Sequence, residues 1–454
     1  MARYPATEGD FPMGLTQKVQ HWLRTLFAAD SGRRIPLLLE APAWSEAPSP
    51  APALARAIAP APRPVIAFRR NAVFAAFNTA MPVTDRHGLA GRQRELVRLM
   101  DSVVIQRKHA LIFGGRGSGK TSLARVFGDL ADEAGCVALY GSASAGADVG
   151  GLFRPFLAEL PMTQGSHATI GADADVQQLA NLFVANVTQR TLLIVDEFDR
   201  VESPRTRHDV ATLLKLLTDM HAPVQVVLVG IAGNVDGLIA SHPSLRRHLF
   251  AQPVPPIAND ELAGLLRLCG QQAGLELDER AVERIVGIAL GSPYHARLVG
   301  MHAALAADTA RRDRVTLADV QQGTADAIEE WSDLSPEVRR IFDRALRTAG
   351  PLRSVLAAAG ALASQSQALD ADRLARASAD LFEDARDSLA AAEQAIALLR
   401  PALTEREPGL FEFEDSLSPQ FLVLLATETA PADDIARTPQ AEAPRERIQG
   451  VAAL

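Results

Sequence analysis

Eight consecutive residues, Gly114–Gly115–Arg116–Gly117–Ser118–Gly119–Lys120–Thr121, bring together the groups that hold a polyphosphate. They fit the pattern G-x-x-x-x-G-K-[ST]. Glycines let the backbone curl until several N–H groups point at one phosphate chain. A helix starting there adds its positive N-terminal end. Lys120 then reaches the β- and γ-phosphates, and the Thr121 hydroxyl is a ligand for Mg²⁺. Ser122 extends this set into the helix. A glycine-rich strand-to-helix turn could meet the pattern by chance, but an apolar run precedes it and a helical pattern follows it.

The second chemical feature is Thr191–Leu192–Leu193–Ile194–Val195–Asp196–Glu197, an apolar strand ending in two carboxylates about 75 residues later. Ligands of open α/β sheets sit at the carboxyl ends of strands. Asp196 would hold Mg²⁺ there, through water. Glu197 would polarise the attacking water, a role that requires a carboxylate near the γ-phosphate. An ordinary solvated acidic turn is the alternative. Asp199 could lie near the site, but it is expected rather to cap the next helix or to pair with Arg200. A guanine-reading N-K-x-D is absent after the next strand, where Gly230–Ile231–Ala232–Gly233–Asn234–Val235–Asp236 stands, so the expected nucleotide is ATP.

These residues need a scaffold. Apolar runs at Ala110–Phe113, Val137–Tyr140, Leu192–Val195 and Val224–Val229 alternate with helical patterns at Thr121–Ala134, Val176–Val187 and Thr206–Met220. Strands that are apolar throughout and separated by helices predict an α/β fold with a parallel sheet covered on both faces. A fifth strand at Gln252–Pro255 is confined by its prolines to an edge or an end. Helices without strands follow at Asn259–Ala273, Asp278–Leu290, Pro293–Ala307 and Leu317–Trp331, as a lid.

The expected organisation is therefore an N-terminal helical segment (1–40), a Pro/Ala-rich linker (41–64), the α/β core (65–257), the lid (258–332), a mainly helical region (333–428) and a disordered tail (429–454). Within 333–428 the alternation Leu410–Glu414 suits a strand or β-wing.

Composition narrows the setting. The 454 residues are 48% hydrophobic and 22% charged, enough for packed cores, and no apolar run reaches the ~18 residues of a membrane helix. Net charge is −8, against a chain that coats nucleic acid. Lysine occurs only at 18, 108, 120 and 215. The two cysteines, Cys136 and Cys269, form neither a zinc motif nor a disulfide framework. They read as reduced, buried thiols in a cytoplasmic protein.

Taken together, the residues resemble the AAA+ superfamily of P-loop ATPases, in its origin-recognition-like branch, and the neighbouring STAND ATPases, over roughly 85–331. Gly88–Leu89–Ala90–Gly91–Arg92–Gln93–Arg94–Glu95–Leu96 is similar to the box that precedes the first strand. The resemblance places Gly91 and Arg92 near adenine and ribose. Asn234 matches the polar sensor-1 position, though it could equally make a turn. Arg246 or Arg247 lies where an arginine finger would reach a neighbouring subunit's γ-phosphate, and a solvated or salt-bridged pair is the alternative. In Gly291–Ser292–Pro293–Tyr294–His295–Ala296–Arg297 the sequence departs from AAA+: Gly-x-x-Arg would need arginine at Tyr294. Gly-Ser-Pro instead resembles the STAND G-x-P element, with Pro293 near the nucleotide, and Arg297, one turn on, either substitutes as the sensor or faces solvent.

The resemblance also implies a C-terminal winged-helix domain. Its usual DNA role conflicts with charge, since residues 331–454 hold 20 acidic side chains against 13 arginines and no lysine. An acidic wing repels the phosphate backbone. Arg340, Arg344 and Arg347 nevertheless have the spacing of one helix face. The expected function is Mg²⁺-dependent ATP binding and hydrolysis, coupled to a conformational or assembly switch. Its partner would be a protein, with homo-oligomerisation required for a finger in trans. An origin-type DNA binder and a slow STAND-like switch are the competing readings.

Overall fold

A computed structural model describes residues 65–83, 88–115, 117–160, 175–230, 243–366, 368–382, 385–415 and 417–428. The segments 1–40 and 41–64 and the tail from 429 lie outside the described residues, as do Arg116 and Asn234. The chain divides into two units, Met1–Phe68 and Arg69–Leu454. Of the first, only 65–68 are described, as the start of helix α1 (Val65–Ala76). The second holds every other described element.

Helix α2 (Gln93–Leu99) leads into β1 (His109–Gly114), and α3 (Lys120–Glu133) begins within the phosphate loop. Then come β2 (Val137–Ser142), α4 (Val149–Glu159), α5 (Val176–Asn186), β3 (Thr191–Asp196), α6 (Pro204–Asp219), β4 (Val224–Gly230) and β5 (Leu249–Val254). These five strands form one parallel sheet in the order β2-β3-β4-β1-β5. β3 and β4 are buried at every position, as their continuous apolar runs require. Pro253 is accommodated because β5 is an edge strand.

The sheet has two different faces. Leu193, Val195, Val226 and Leu228 pack with α4, α5 and α6 through Phe153, Phe183 and Leu214. On the other face α3 comes close: a Cβ on Gly128 would stand 2.9 Å from Ile194 Cδ1. Alternation along a strand then puts Asp196 on the α3 face with Ile194. His109 ties β1 to its neighbours. Its Nδ1 accepts the Val226 N–H at 3.0 Å, so Nε2 carries the proton and donates to the Leu214 carbonyl at 3.0 Å.

The lid comprises α7 (Asn259–Ala273), α8 (Glu279–Ala289), α9 (Pro293–Thr309) and α10 (Leu317–Leu334). It is not purely helical as expected. Two-residue strands β6 (Glu276–Leu277) and β7 (Arg314–Val315) pair in parallel between its helices. Arg314, ion-paired with Glu276 and Asp278, flanks this pairing.

Residues 334–428 continue with α11 (Pro336–Ala349), α12 (Arg353–Ser366), α13 (Ala371–Ala377), α14 (Ala385–Leu399), the antiparallel hairpin β8 (Leu403–Glu407) with β9 (Leu410–Phe413), and α15 (Ser418–Glu428). Leu369 bridges to Phe411 of the hairpin. One apolar core runs from Val73 and Phe77 through the lid into this region. Trp331 of α10 stacks on Phe421 of α15 with ring centroids 4.6 Å apart and planes at 8°. Burial of such large rings contributes ~2 kcal/mol each and explains why the two parts share one interior.

Candidate nucleotide-binding site

The phosphate loop leaves β1 at Gly114 and enters α3 at Lys120. Gly117 and Gly119 have φ of +73° and +88°, a backbone region that L side chains rarely occupy. Lys120 Nζ donates to the Gly115 carbonyl at 2.7 Å, and the Ser118 hydroxyl donates to the same oxygen at 2.7 Å. Thr121 and Ser122 lie in the first turn of α3, where the helix presents its free N–H groups. The Ser122 hydroxyl accepts the Val83 N–H at 3.0 Å, tying Val83 to the first turn of α3.

Arg92 is only 2% exposed. One of its terminal nitrogens donates to the carbonyls of Ser118 (3.0 Å) and Pro255 (2.6 Å), and the other pairs with Glu95. Burial lowers its pKa against the opposing pull of Glu95 and Glu261. Arg92 therefore clamps the loop to the β5–lid junction, while its Nε has no partner among the described residues. Gly91 packs against Glu261 at the start of α7. Burial raises the Glu261 pKa.

The carboxylates sit at the end of β3. Asp196, 5% exposed, accepts the Glu197 N–H on Oδ1 at 2.8 Å and the Tyr140 hydroxyl on Oδ2. Burial, then the Asp196 carboxylate, raise the Tyr140 phenol above its ordinary pKa, so it stays a donor. Glu197 takes φ +54°, a strained conformation for this residue type that turns the chain out of the strand. Its carboxylate, 45% exposed, faces Arg200 at 3.3 Å. Arg200 thus pairs with Glu197 rather than Asp199, and Ser203, which accepts the Thr206 N–H at 3.2 Å, caps α6 in place of Asp199.

The lid and the C-terminal region meet the loop from above. A Cβ on Gly119 would lie 3.9 Å from Pro293 Cγ, and one on Gly117 would lie 3.2 Å from Leu417 Cδ2 and 3.8 Å from Tyr294 Cβ. Arg297 donates to the carbonyls of Gly88 (3.2 Å) and Ala76 (3.4 Å), beside the box rather than above the loop. His295, 1% exposed, joins the two parts: Nδ1 contacts the Ser292 hydroxyl at 2.9 Å and Nε2 donates to the Leu417 carbonyl at 3.2 Å. Burial lowers its pKa to about 4. A cavity of about 190 Å³ borders Gly114, Gly115 and Ser118, walled by Pro255, Ser292 and Gln420. That is below the roughly 300–1,000 Å³ of ordinary ligand pockets, in keeping with the closed approach of the C-terminal region.

Arg246 and Arg247 lie exposed on a short turn, 243–247, before β5 and make no ion pair among the described residues. Sequence reading missed Tyr140, which it took only as strand filler, and His295 and Leu417. A phenol near the carboxyl end of the strand beside β3 was the available signal for Tyr140.

Thr121 and Asp196 are oxygen donors of the kind Mg²⁺ accepts. Among the described residues no three His, Cys, Asp or Glu side chains gather into a protein-only metal site. Both cysteines are buried and unbonded to each other. No helix among the described residues is long and apolar enough to cross a membrane.

The model of the Novel STAND NTPase 1 family matches residues 77–339, more than half of the chain. No curated protein matches it. Among solved structures, the ORC2 protein of Aeropyrum pernix (ADPNP–ADP complexes) is 18% identical, with a TM-score of 0.46 over 77% of this chain and 96% of that one. A Walker-type ATPase of Pyrococcus abyssi is 16% identical, with a TM-score of 0.47 over 77% and 99%. Cdc6p of Pyrobaculum aerophilum is 15% identical, with a TM-score of 0.44 over 78% and 97%.

Proposed function

Because the chain belongs to the Novel STAND NTPase 1 family, we propose that it binds ATP with Mg²⁺ at Gly114–Ser122, hydrolyses it, and uses the nucleotide state to set the position of its C-terminal region. The observation that carries the reading is the loop itself: two left-handed glycines, Gly117 and Gly119, roofed by Pro293 of the lid and Leu417 of the C-terminal region. In this reading a nucleotide in the loop contacts one or both of these neighbours differently in its two states. A ligand moves a two-state equilibrium only through such differential contact.

In this reading Gly115, Arg116, Gly117, Ser118, Gly119 and Lys120 enclose the β- and γ-phosphates. Thr121 and Asp196 hold Mg²⁺, which offsets charge on the phosphates when bound. Glu197 orients the attacking water, and Asn234 contacts the γ-phosphate or that water. Gly91, Arg92, Pro293 and Arg297 border the base and sugar, with Arg92 acting through the loop carbonyl it grips. The exposed Arg246 and Arg247, without an ion pair among the described residues, support assembly through a finger in trans, since a guanidinium must be accessible to serve a neighbour.

Helix α12, the Leu369 bridge, helices α13 and α14 and the β8–β9 hairpin follow the order of a winged helix. The described exposed positions of α14 are Asp387, Ala390, Glu393, Gln394 and Ala397, with no base among them. Phosphate neutralisation needs cations, so a protein partner is favoured over DNA. Rapid-quench assays of a single turnover test the function: phosphate should appear with wild type and stop with Glu197→Gln. Equal rates would remove Glu197 from the mechanism, and phosphate from neither would remove hydrolysis.

A further inference from the structure

Both oxygens of Asp196 are engaged: Oδ1 with the Glu197 N–H at 2.8 Å, and Oδ2 with the Tyr140 hydroxyl. Tyr140 comes from the neighbouring strand. The β2–β3 register pairs Tyr140 with Ile194 and Ser142 with Asp196, so phenol and carboxylate project from the same face, the one under α3. The Arg125 guanidinium lies 4.3 Å from the centroid of the Tyr140 ring. Arg125 is one helical turn beyond Thr121. A continuous set of contacts thus runs from the loop helix, through Arg125 and Tyr140, to Asp196.

We propose that Tyr140 is a positioning residue that fixes the Asp196 carboxylate for the nucleotide-bound metal. The proposal rests on the assignment of Asp196 as a holder of Mg²⁺. A carboxylate with one donor on each oxygen cannot rotate about its Cβ–Cγ bond without breaking a hydrogen bond. Its plane is therefore set before the metal arrives. The cation over the ring draws electron density from the phenol and makes its hydroxyl the better donor. Arg125 also links this arrangement to α3, so the two Mg²⁺-facing groups, Thr121 and Asp196, are held in register. Removing a donor that orients a metal-holding carboxylate costs roughly 10–100-fold in metal affinity.

The experiment uses the full chain saturated with ADP and measures free Mn²⁺ by electron paramagnetic resonance. Tyr140→Phe, which keeps the ring and its packing, should weaken Mn²⁺ binding about tenfold. Affinity for mant-ADP in EDTA should stay within about twofold of wild type, because the loop is untouched. Asp196→Asn should weaken Mn²⁺ further, and Tyr140→Phe should add nothing in that background. Unchanged Mn²⁺ affinity in Tyr140→Phe overturns the proposal. So does an equal loss of metal-free mant-ADP affinity, which would mark a packing defect. A wild-type chain that binds no mant-ADP overturns the nucleotide reading together with this proposal, and is thereby distinguished from a failure of Tyr140 alone.

Discussion

Leu417 lies over Gly117: a Cβ on this loop glycine would stand 3.2 Å from Leu417 Cδ2. Its backbone is held there by two hydrogen bonds, one of them to an anchored carboxylate. His295 bonds its carbonyl, Asp415 Oδ1 accepts its N–H at 3.1 Å, and Asp415 Oδ2 is itself anchored by Trp331 Nε1 at 3.0 Å and the Ser335 hydroxyl at 3.1 Å. The C-terminal region therefore comes up to the phosphate loop at a residue whose backbone is hydrogen-bonded on both its N–H and its carbonyl. Leu417→Ala should release mant-ADP about tenfold faster, since part of a leucine's ~2 kcal/mol of burial is lost from the closed form. Stopped-flow chase with excess ATP measures this. An unchanged rate would show that Leu417 does not restrain the nucleotide.

Arg92 grips two carbonyls with one nitrogen, at Ser118 and Pro255. Lysine keeps the charge but not the planar fork. Arg92→Lys should lower unfolding free energy by about 1–3 kcal/mol, the cost of unpaired buried groups, and should weaken ATP binding as Ser118 loosens. Urea denaturation and fluorescence titration check the two effects separately.

Acid should loosen the structure through two histidines. His109 and His295 are both held neutral by burial, with pKa lowered to about 4. The unfolded chain binds protons near 6.5, so it takes up more protons than the native chain as pH falls. Stability is full above pH 6.5 and declines from there toward pH 4, at no more than ~1.4 kcal/mol per pH unit per histidine. Thermal melts across that window should show the slope, and His295→Gln should make it shallower. A flat profile in wild type would contradict neutral burial.

Glu197→Gln should leave ATP affinity within about twofold and cut turnover by roughly 10²–10⁴-fold, the span of general base catalysis. Arg200→Ala is a different case. Its pair with Glu197 is about half exposed on both sides, so stability should change by less than ~1 kcal/mol. Isotope-labelled phosphate release separates the turnover effect, and calorimetric melting reads the stability.

Much of the core was legible because burial writes itself into composition. β3 and β4 are apolar runs, and their strands fall where those runs lie. The loop was legible because glycine, lysine and threonine each answer a separate physical need. Other elements left weaker traces. Helix α4 carries Gly150, Gly151 and Pro155, residues that oppose helix, and forms because Asp148 caps it and Phe153 and Phe156 bury. The strand β8, LTERE, is mostly exposed and has little apolar alternation; it exists because β9 pairs with it. Tyr140 and Leu417 were invisible as site residues since only tertiary packing brings them to Asp196 and Gly117. Sensor and finger assignments rest on resemblance, and the fold places Arg246 and Arg247 on the surface without choosing between them.

Isothermal titration of Mg·ATP into the full chain, beside Lys120→Ala, decides whether the loop binds nucleotide. Wild type should bind one equivalent with micromolar affinity, and the variant should give no heat of binding, because the proposed site loses the Lys120 ammonium, which donates to the Gly115 carbonyl within the loop. Binding of equal strength in both proteins, or in neither, would contradict it.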